Sequence, residues 1–149
     1  MEYPDLFVGV DPGQSGGIAA IGLNFVEAFS MPATERDVYD LIAEYAPNVQ
    51  HCFIESVHSF PGQGVASSFT FGKGYGFLRG VLVALKIPFT DVSPQKWKKA
   101  MGLHYAATDA KKDKKNGSKQ LCQQLFPSIK VTHSISEALL LAEFCRRSQ

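Results

Sequence analysis

Apolar residues along this chain fall into short runs with two different periods. Leu6–Asp11 (LFVGVD) is continuously apolar and stops at Asp-Pro-Gly, the pattern of a buried strand entering a turn. Gly17–Leu23 and Phe25–Phe29 read as two more strands, giving an antiparallel meander. In Glu35–Ala46, Val38, Leu41, Ile42 and Tyr45 recur at helical spacing. Gln50–Glu55 (QHCFIE) returns to strand and ends on an acid. The Gly-rich segment SFPGQG follows, and Val65–Leu85 then reads as a long helix. Ile87–Val92 is a fifth strand, and Ser93 is placed to cap a helix over Pro94–Met101. Tyr105–Gly117, polar and lysine-rich, reads as a mobile loop, while Lys119–Phe126 and Thr132–Phe144 close the chain as helices.

The predicted order is three strands in a meander, then strands alternating with helices. Helix-linked crossovers imply parallel pairing, so the expected class is α/β: a mixed five-stranded sheet flanked by helices. At 149 residues, one domain spanning 1–149 is the simplest organisation and is large enough to bury a core.

Composition narrows the class further. Hydrophobic residues at 45% and charged residues at 19% fit a globular protein, and no apolar run is long enough to span a bilayer. The opening Met-Glu-Tyr-Pro-Asp does not read as a signal peptide, so a cytoplasmic protein without membrane association is expected. Cys52, Cys122 and Cys145 lie in apolar runs without C-x-x-C spacing and read as buried thiols. The four histidines show no zinc spacing, and no G-K-[ST] follows the glycines to make a P-loop.

Charge is balanced overall but divided along the chain. Residues 1–72 carry nine acids against one base, Arg36, whereas residues 73–149 carry fourteen Lys and Arg against five acids. Either this is a salt-balanced surface, or the second half presents a basic face to a polyanion. Eight lysines fall between positions 96 and 119: Lys96, Lys98, Lys99, Lys111, Lys112, Lys114, Lys115 and Lys119. Such a cluster supports sequence-independent phosphate binding.

Two strands end on acids, Asp11 and Glu55. If those strands are neighbours, both carboxylates leave the sheet at one edge, where Glu137 of the last helix is placed to join them. Taken singly, Asp11 is equally an ordinary turn residue and Glu55 a solvent-facing strand end. Together, three acids repel one another unless cations sit between them. Two Mg2+ ions roughly 4 Å apart would neutralise such a cluster and activate water for phosphodiester hydrolysis.

At this point the chain resembles a family. VGVDPGQSGGIA, FIES, the run GQGVASSFTFGKGYGFLRGVLVALKIPF and VSPQKWKKAMGL, in that order over residues 6 to 147, are similar to the RuvC-type Holliday-junction resolvases of the RNase H-like superfamily, particularly their compact phage-type members. The resemblance implies an RNase H-like fold and a homodimer with two active sites. It also implies Mg2+-dependent nicking of four-way and other branched DNA to leave 5′-phosphates, with Mn2+ able to substitute, in a bacterial or phage-infected cell. By position, Asp11, Glu55 and Glu137 match catalytic, metal-binding carboxylates, and Lys98 and Lys119 match lysines that hold the cleaved strand. The resemblance places a ring that wedges into unstacked bases near Phe60 or His58, and packing of that loop aromatic into the core is the equal alternative. Trp97 is either a base-stacking ring or, as we expect, a core anchor. In the long helix, Phe71, Tyr75, Leu78 and Leu82 form one stripe, and Gly72, Gly76 and Gly80 line another face open to close approach. The resemblance makes this helix a dimer interface.

The chain departs from the pattern at Ser134, where the family has a further acid or, in some members, a histidine; His133 is adjacent. Ser134-x-x-Glu137 before an apolar run also reads as a capping box, in which the serine caps the helix and the glutamate reaches back. Ser134 is thus either a cap or a weakened metal position beside His133. Two function classes follow: a structure-selective endonuclease, and a catalytically impaired protein that binds junctions on the same fold. A third, an ATP-binding protein of the actin and sugar-kinase type, shares the phosphate turn but needs two such lobes.

Overall fold

A computed structural model describes residues 2–59, 61–106 and 108–149 of the chain. Strands β1 (Leu6–Asp11), β2 (Gly17–Gly22), β3 (Phe25–Ser30), β4 (Val49–Glu55) and β5 (Phe89–Val92) form one five-stranded sheet in the order β3-β2-β1-β4-β5. The meander β1-β2-β3 is antiparallel, and β4 pairs parallel with both β1 and β5. Helices are α1 (Glu35–Tyr45), α2 (Val65–Ala84), α3 (Pro94–Ala100), α4 (Lys111–Leu125) and α5 (His133–Arg147), with a short 3-10 turn at Ala46–Asn48.

Both sheet faces are covered, which is why the central strands are apolar at every position rather than at alternate ones. Leu6, Val8 and Val10 of β1 face one core with Val38 and Ile42 of α1 and Leu78 and Leu82 of α2. The other core holds Ala19, Ile21, Phe53, Trp97, Cys122 and the apolar run Leu139–Ala142 of α5. All three cysteines are buried, free thiols.

The helix α5 lies directly on the sheet because the sheet carries glycine beneath it. A Cβ at Gly9 would sit 2.1 Å from the Ala138 carbonyl oxygen and 2.5 Å from the Ala142 nitrogen; one at Gly17 would sit 2.5 Å from the Ser134 carbonyl oxygen. No side chain fits there, so the first turns of α5 settle against the β1 and β2 backbones. Thr34 and Ser93 cap α1 and α3, accepting from the backbone N–H of Asp37 and Lys96.

Two sequence expectations are corrected. Tyr105–Gly117 is not a loop throughout: α4 begins at Lys111. Lysine has good helix propensity, and the Tyr105 hydroxyl donates to the Lys114 carbonyl across the top of Gly117, so the turn is held by packing as well. Nor is Ser134 a cap. The N-cap of α5 is Thr132, without a side-chain capping bond, and Ser134 lies inside the first turn.

Candidate metal centre and basic flank

Parallel pairing of β1 with β4 puts Val10 beside Ile54, so the next residues, Asp11 and Glu55, leave the same end of adjacent strands. The glycine-permitted seat of α5 brings Glu137, one residue before Ala138, over that end. Carboxylate oxygens of Asp11, Glu55 and Glu137 all lie within 4.8 Å of one another. The three belong to different elements, and each is half-buried.

The electrostatics follow from this crowding. Burial, then the charges of Glu137 and Glu55, raise the Asp11 carboxyl from its usual 3.8 to about 8, against the opposing pull of Lys98 and Lys115. Burial and Glu137 raise Glu55 from 4.5 to about 7, opposed by a hydrogen bond from Trp97 and by Lys98. Three ionised carboxylates this close are unstable without a cation. Hard oxygen donors alone, with no thiolate or imidazole among them, suit a hard divalent cation rather than a softer ion.

Helix α3 supports the cluster from the side. Trp97, fully buried, donates its indole N–H to Glu55 Oε2 at 2.7 Å. The next residue, Lys98, places its ammonium 3.6 Å from Glu137 Oε1 and 5.4 Å from the centre of the Trp97 ring. The expectation of Trp97 as a core anchor describes its ring; its bond to an acid carried no sequence signal.

Ser134 turns elsewhere. Its hydroxyl lies 2.6 Å from the Ser30 hydroxyl at the end of β3 and 3.0 Å from that of Thr132. His133 is exposed and is not part of the acid trio. Of the lysines, Lys98 is in the cluster and Lys115 is near enough to act on Asp11. Lys96, Lys99, Lys111 and Lys112 are exposed on α3 and α4, and Lys114 is half-buried. Lys119 lines a shallow groove on α4 with Asn116, Gln120, Gln123 and Gln124. His58 is exposed in the segment after β4; Phe60 lies outside the described residues.

A mixed five-stranded sheet in this order, flanked by helices, is the RuvC-type, RNase H-like fold. No family model and no curated protein matches the chain. Among solved structures, RuvC of Thermus thermophilus matches with a TM-score of 0.59 at 15% identity over 96% of each chain. T. thermophilus RuvC in complex with a Holliday junction substrate matches with a TM-score of 0.62 at 12% identity, again over 96% of each. At these identities the likeness is one of fold, and the roles of individual residues rest on the geometry above.

Proposed function

We propose that this chain is a structure-selective DNA endonuclease that resolves four-way junctions, and other branched DNA, by metal-dependent phosphodiester hydrolysis leaving 5′-phosphates. The observation that carries this reading is the trio of carboxylates within 4.8 Å, flanked by Lys98 and Lys115, on a fold shared with a protein solved on a Holliday junction. Asp11, Glu55 and Glu137 would hold Mg2+, with Mn2+ as a substitute, in a two-ion arrangement. Bound there, the metal would supply an activated water and stabilise the leaving oxygen. The protein's own part is to bring the acids together from three elements in a half-buried cluster. Lys98, whose side chain is a quarter exposed, offsets the repulsion between the acids and an arriving phosphate. Lysines of α3 and α4 extend a positive surface along which a backbone can lie.

A homodimer with two such sites is part of the proposal. On the face of α2 that carries Gly72, Gly76 and Gly80, Val65 and Phe69 are exposed near its start and Val83 near its end. A Cβ at Gly72, Gly76 or Gly80 would meet nothing within 4 Å. That apolar, backbone-bare face suits close approach by a second copy of the same helix.

Ser134 supports a second reading, a junction-binding protein with weakened catalysis. Its hydroxyl is engaged by Ser30 and Thr132 and brings no negative charge to the cluster. Cleavage of a synthetic four-way junction in Mg2+, set against binding of the same junction in EDTA, separates the two. Paired symmetric nicks with 5′-phosphate ends support the nuclease; tight binding with no cleavage at any Mg2+ or Mn2+ concentration supports the second reading.

A further inference from the structure

Helix α3 grips two of the three acids through consecutive residues, and the two grips differ in kind. Lys98 meets Glu137 as a mobile charge, 3.6 Å away on a partly exposed stem. Trp97 meets Glu55 through a single N–H on a ring that is fully buried. We propose that Trp97 is a positioning residue for the metal centre: its indole N–H fixes the Glu55 carboxylate so that the group is already oriented when a divalent ion arrives. This rests on the reading of Asp11, Glu55 and Glu137 as metal ligands.

The local chain is built to place that N–H. Glu55 pairs with Val92 across the parallel β4–β5 ladder, and the Ser56 N–H donates to the Val92 carbonyl at 2.8 Å. Ser93 then caps α3 and Pro94 opens it, so only one turn separates the ladder from Trp97. Register, cap and ring together leave the indole nitrogen 2.7 Å from Oε2. Indole suits this post chemically. It donates only, does not ionise, and cannot ligate a metal itself, whereas a histidine here would compete for the ion and a lysine would oppose it by charge. Hydrogen bonds that orient a ligating side chain typically account for 10–100-fold in metal affinity.

The chain's one tryptophan also makes the bond observable. Mn2+ binding would be measured by counting free Mn2+ by electron paramagnetic resonance, for the full chain, Glu55→Gln, Trp97→Phe, and a chain carrying benzothienylalanine at 97. The last keeps the ring's shape and replaces N–H by sulfur. The expected result is a 10–100-fold weaker Mn2+ affinity for both Trp97 replacements and a larger loss for Glu55→Gln. If Glu55→Gln weakens binding and neither Trp97 replacement does, the positioning role is overturned while the metal site stands. If the unaltered chain binds no Mn2+, the metal site falls and the inference with it. Should both replacements fail to fold, the unaltered protein still decides. Mg2+, which is not paramagnetic, should change the Trp97 emission along the same saturation curve that displaces Mn2+; unchanged emission at full occupancy overturns the proposal.

Discussion

Crowding three carboxylates at one sheet edge must weaken the metal-free fold as pH rises, and this offers a test independent of catalysis. Asp11 is raised from 3.8 to about 8 and Glu55 from 4.5 to about 7, so in the intervening range the folded chain holds protons that the unfolded chain has released. Stability contributed by these groups is therefore full below pH ~4 and is lost as pH climbs to about 8. At ~1.4 kcal/mol per unit, Asp11 acting over pH 5 to 8 and Glu55 over pH 5 to 7 would together reach ~7 kcal/mol. Both groups are partly open to solvent, and protonating one relieves the other, so about 2–4 kcal/mol is the expected loss. For a chain of this length that is a fall of roughly 5–15 °C in melting temperature between pH 5 and pH 8 in EDTA. His51, whose pKa is lowered by burial, works the other way below its usual 6.5, so the comparison with Asp11→Asn isolates the cluster. That variant should be more stable than the unaltered chain at pH 8 in EDTA and nearly equal at pH 5. Millimolar Mg2+ should raise the melting temperature more at pH 8 than at pH 5, because protons compete with the ion. A melting temperature that stays level or rises from pH 5 to 8 in EDTA, with Asp11→Asn no more stable at pH 8, would refute the reasoning.

Four further outcomes follow from the geometry. Gly9→Ala forces a Cβ to within 2.1 Å of the Ala138 carbonyl, so α5 must lift; we expect a loss of ~1–3 kcal/mol or more in thermal melts, together with weakened Mn2+ binding as Glu137 moves away. Ser134→Asp adds a carboxylate in the first turn of α5, where the helix dipole favours it, and should tighten Mn2+ binding about tenfold or more and raise junction cleavage in a metal titration. Lys98→Ala should weaken junction binding and lower the slope of log affinity against log salt by ~0.9, without weakening Mn2+ binding, since the ammonium opposes the ion. Gly76→Leu on the bare face of α2 should shift sedimentation equilibrium toward monomer while leaving the far-UV circular dichroism unchanged.

What could be read from the sequence was whatever depends on neighbours along the chain. Apolar runs that stop on Asp11 and Glu55 announced two strand ends, and the helix between later strands implied the parallel register that sets those ends side by side. The same local rules fail where a distant residue decides the outcome. Lysines from 111 onward looked like a solvated loop because nothing nearby in sequence shows Tyr105 folding back over Gly117 to hold the turn. Ser134 fits a capping box by spacing, yet its hydroxyl finds Ser30, which lies 104 positions earlier on β3. Trp97 is expected from the sequence as a core anchor, but nothing there says which atom its nitrogen meets, and that partner, Glu55, is 42 positions away. Gly9 reads as a small residue in a strand; its purpose appears only once α5 is seen lying across it.

The serine at 134 then acquires a physical meaning beyond that of a missing ligand. Burial and the two neighbouring carboxylates, Glu137 and Glu55, already push Asp11 to about 8, with two lysines opposing the rise. A fourth acid beside Glu137 would raise that repulsion further and could be held only by a divalent ion, so it would tie folding of this edge more tightly to metal. Serine removes one negative charge and uses its hydroxyl instead to bond the end of β3, fastening α5 to the meander. The chain thereby gains a metal-free structure in which α5 is already seated, and gives up affinity for the ion. On this argument the Ser134→Asp chain should not only bind Mn2+ more tightly but also be less stable than the unaltered chain in EDTA at pH 8. An aspartate that stabilised the metal-free fold at that pH would show that α5 is seated by its dipole rather than by the Ser30 bond.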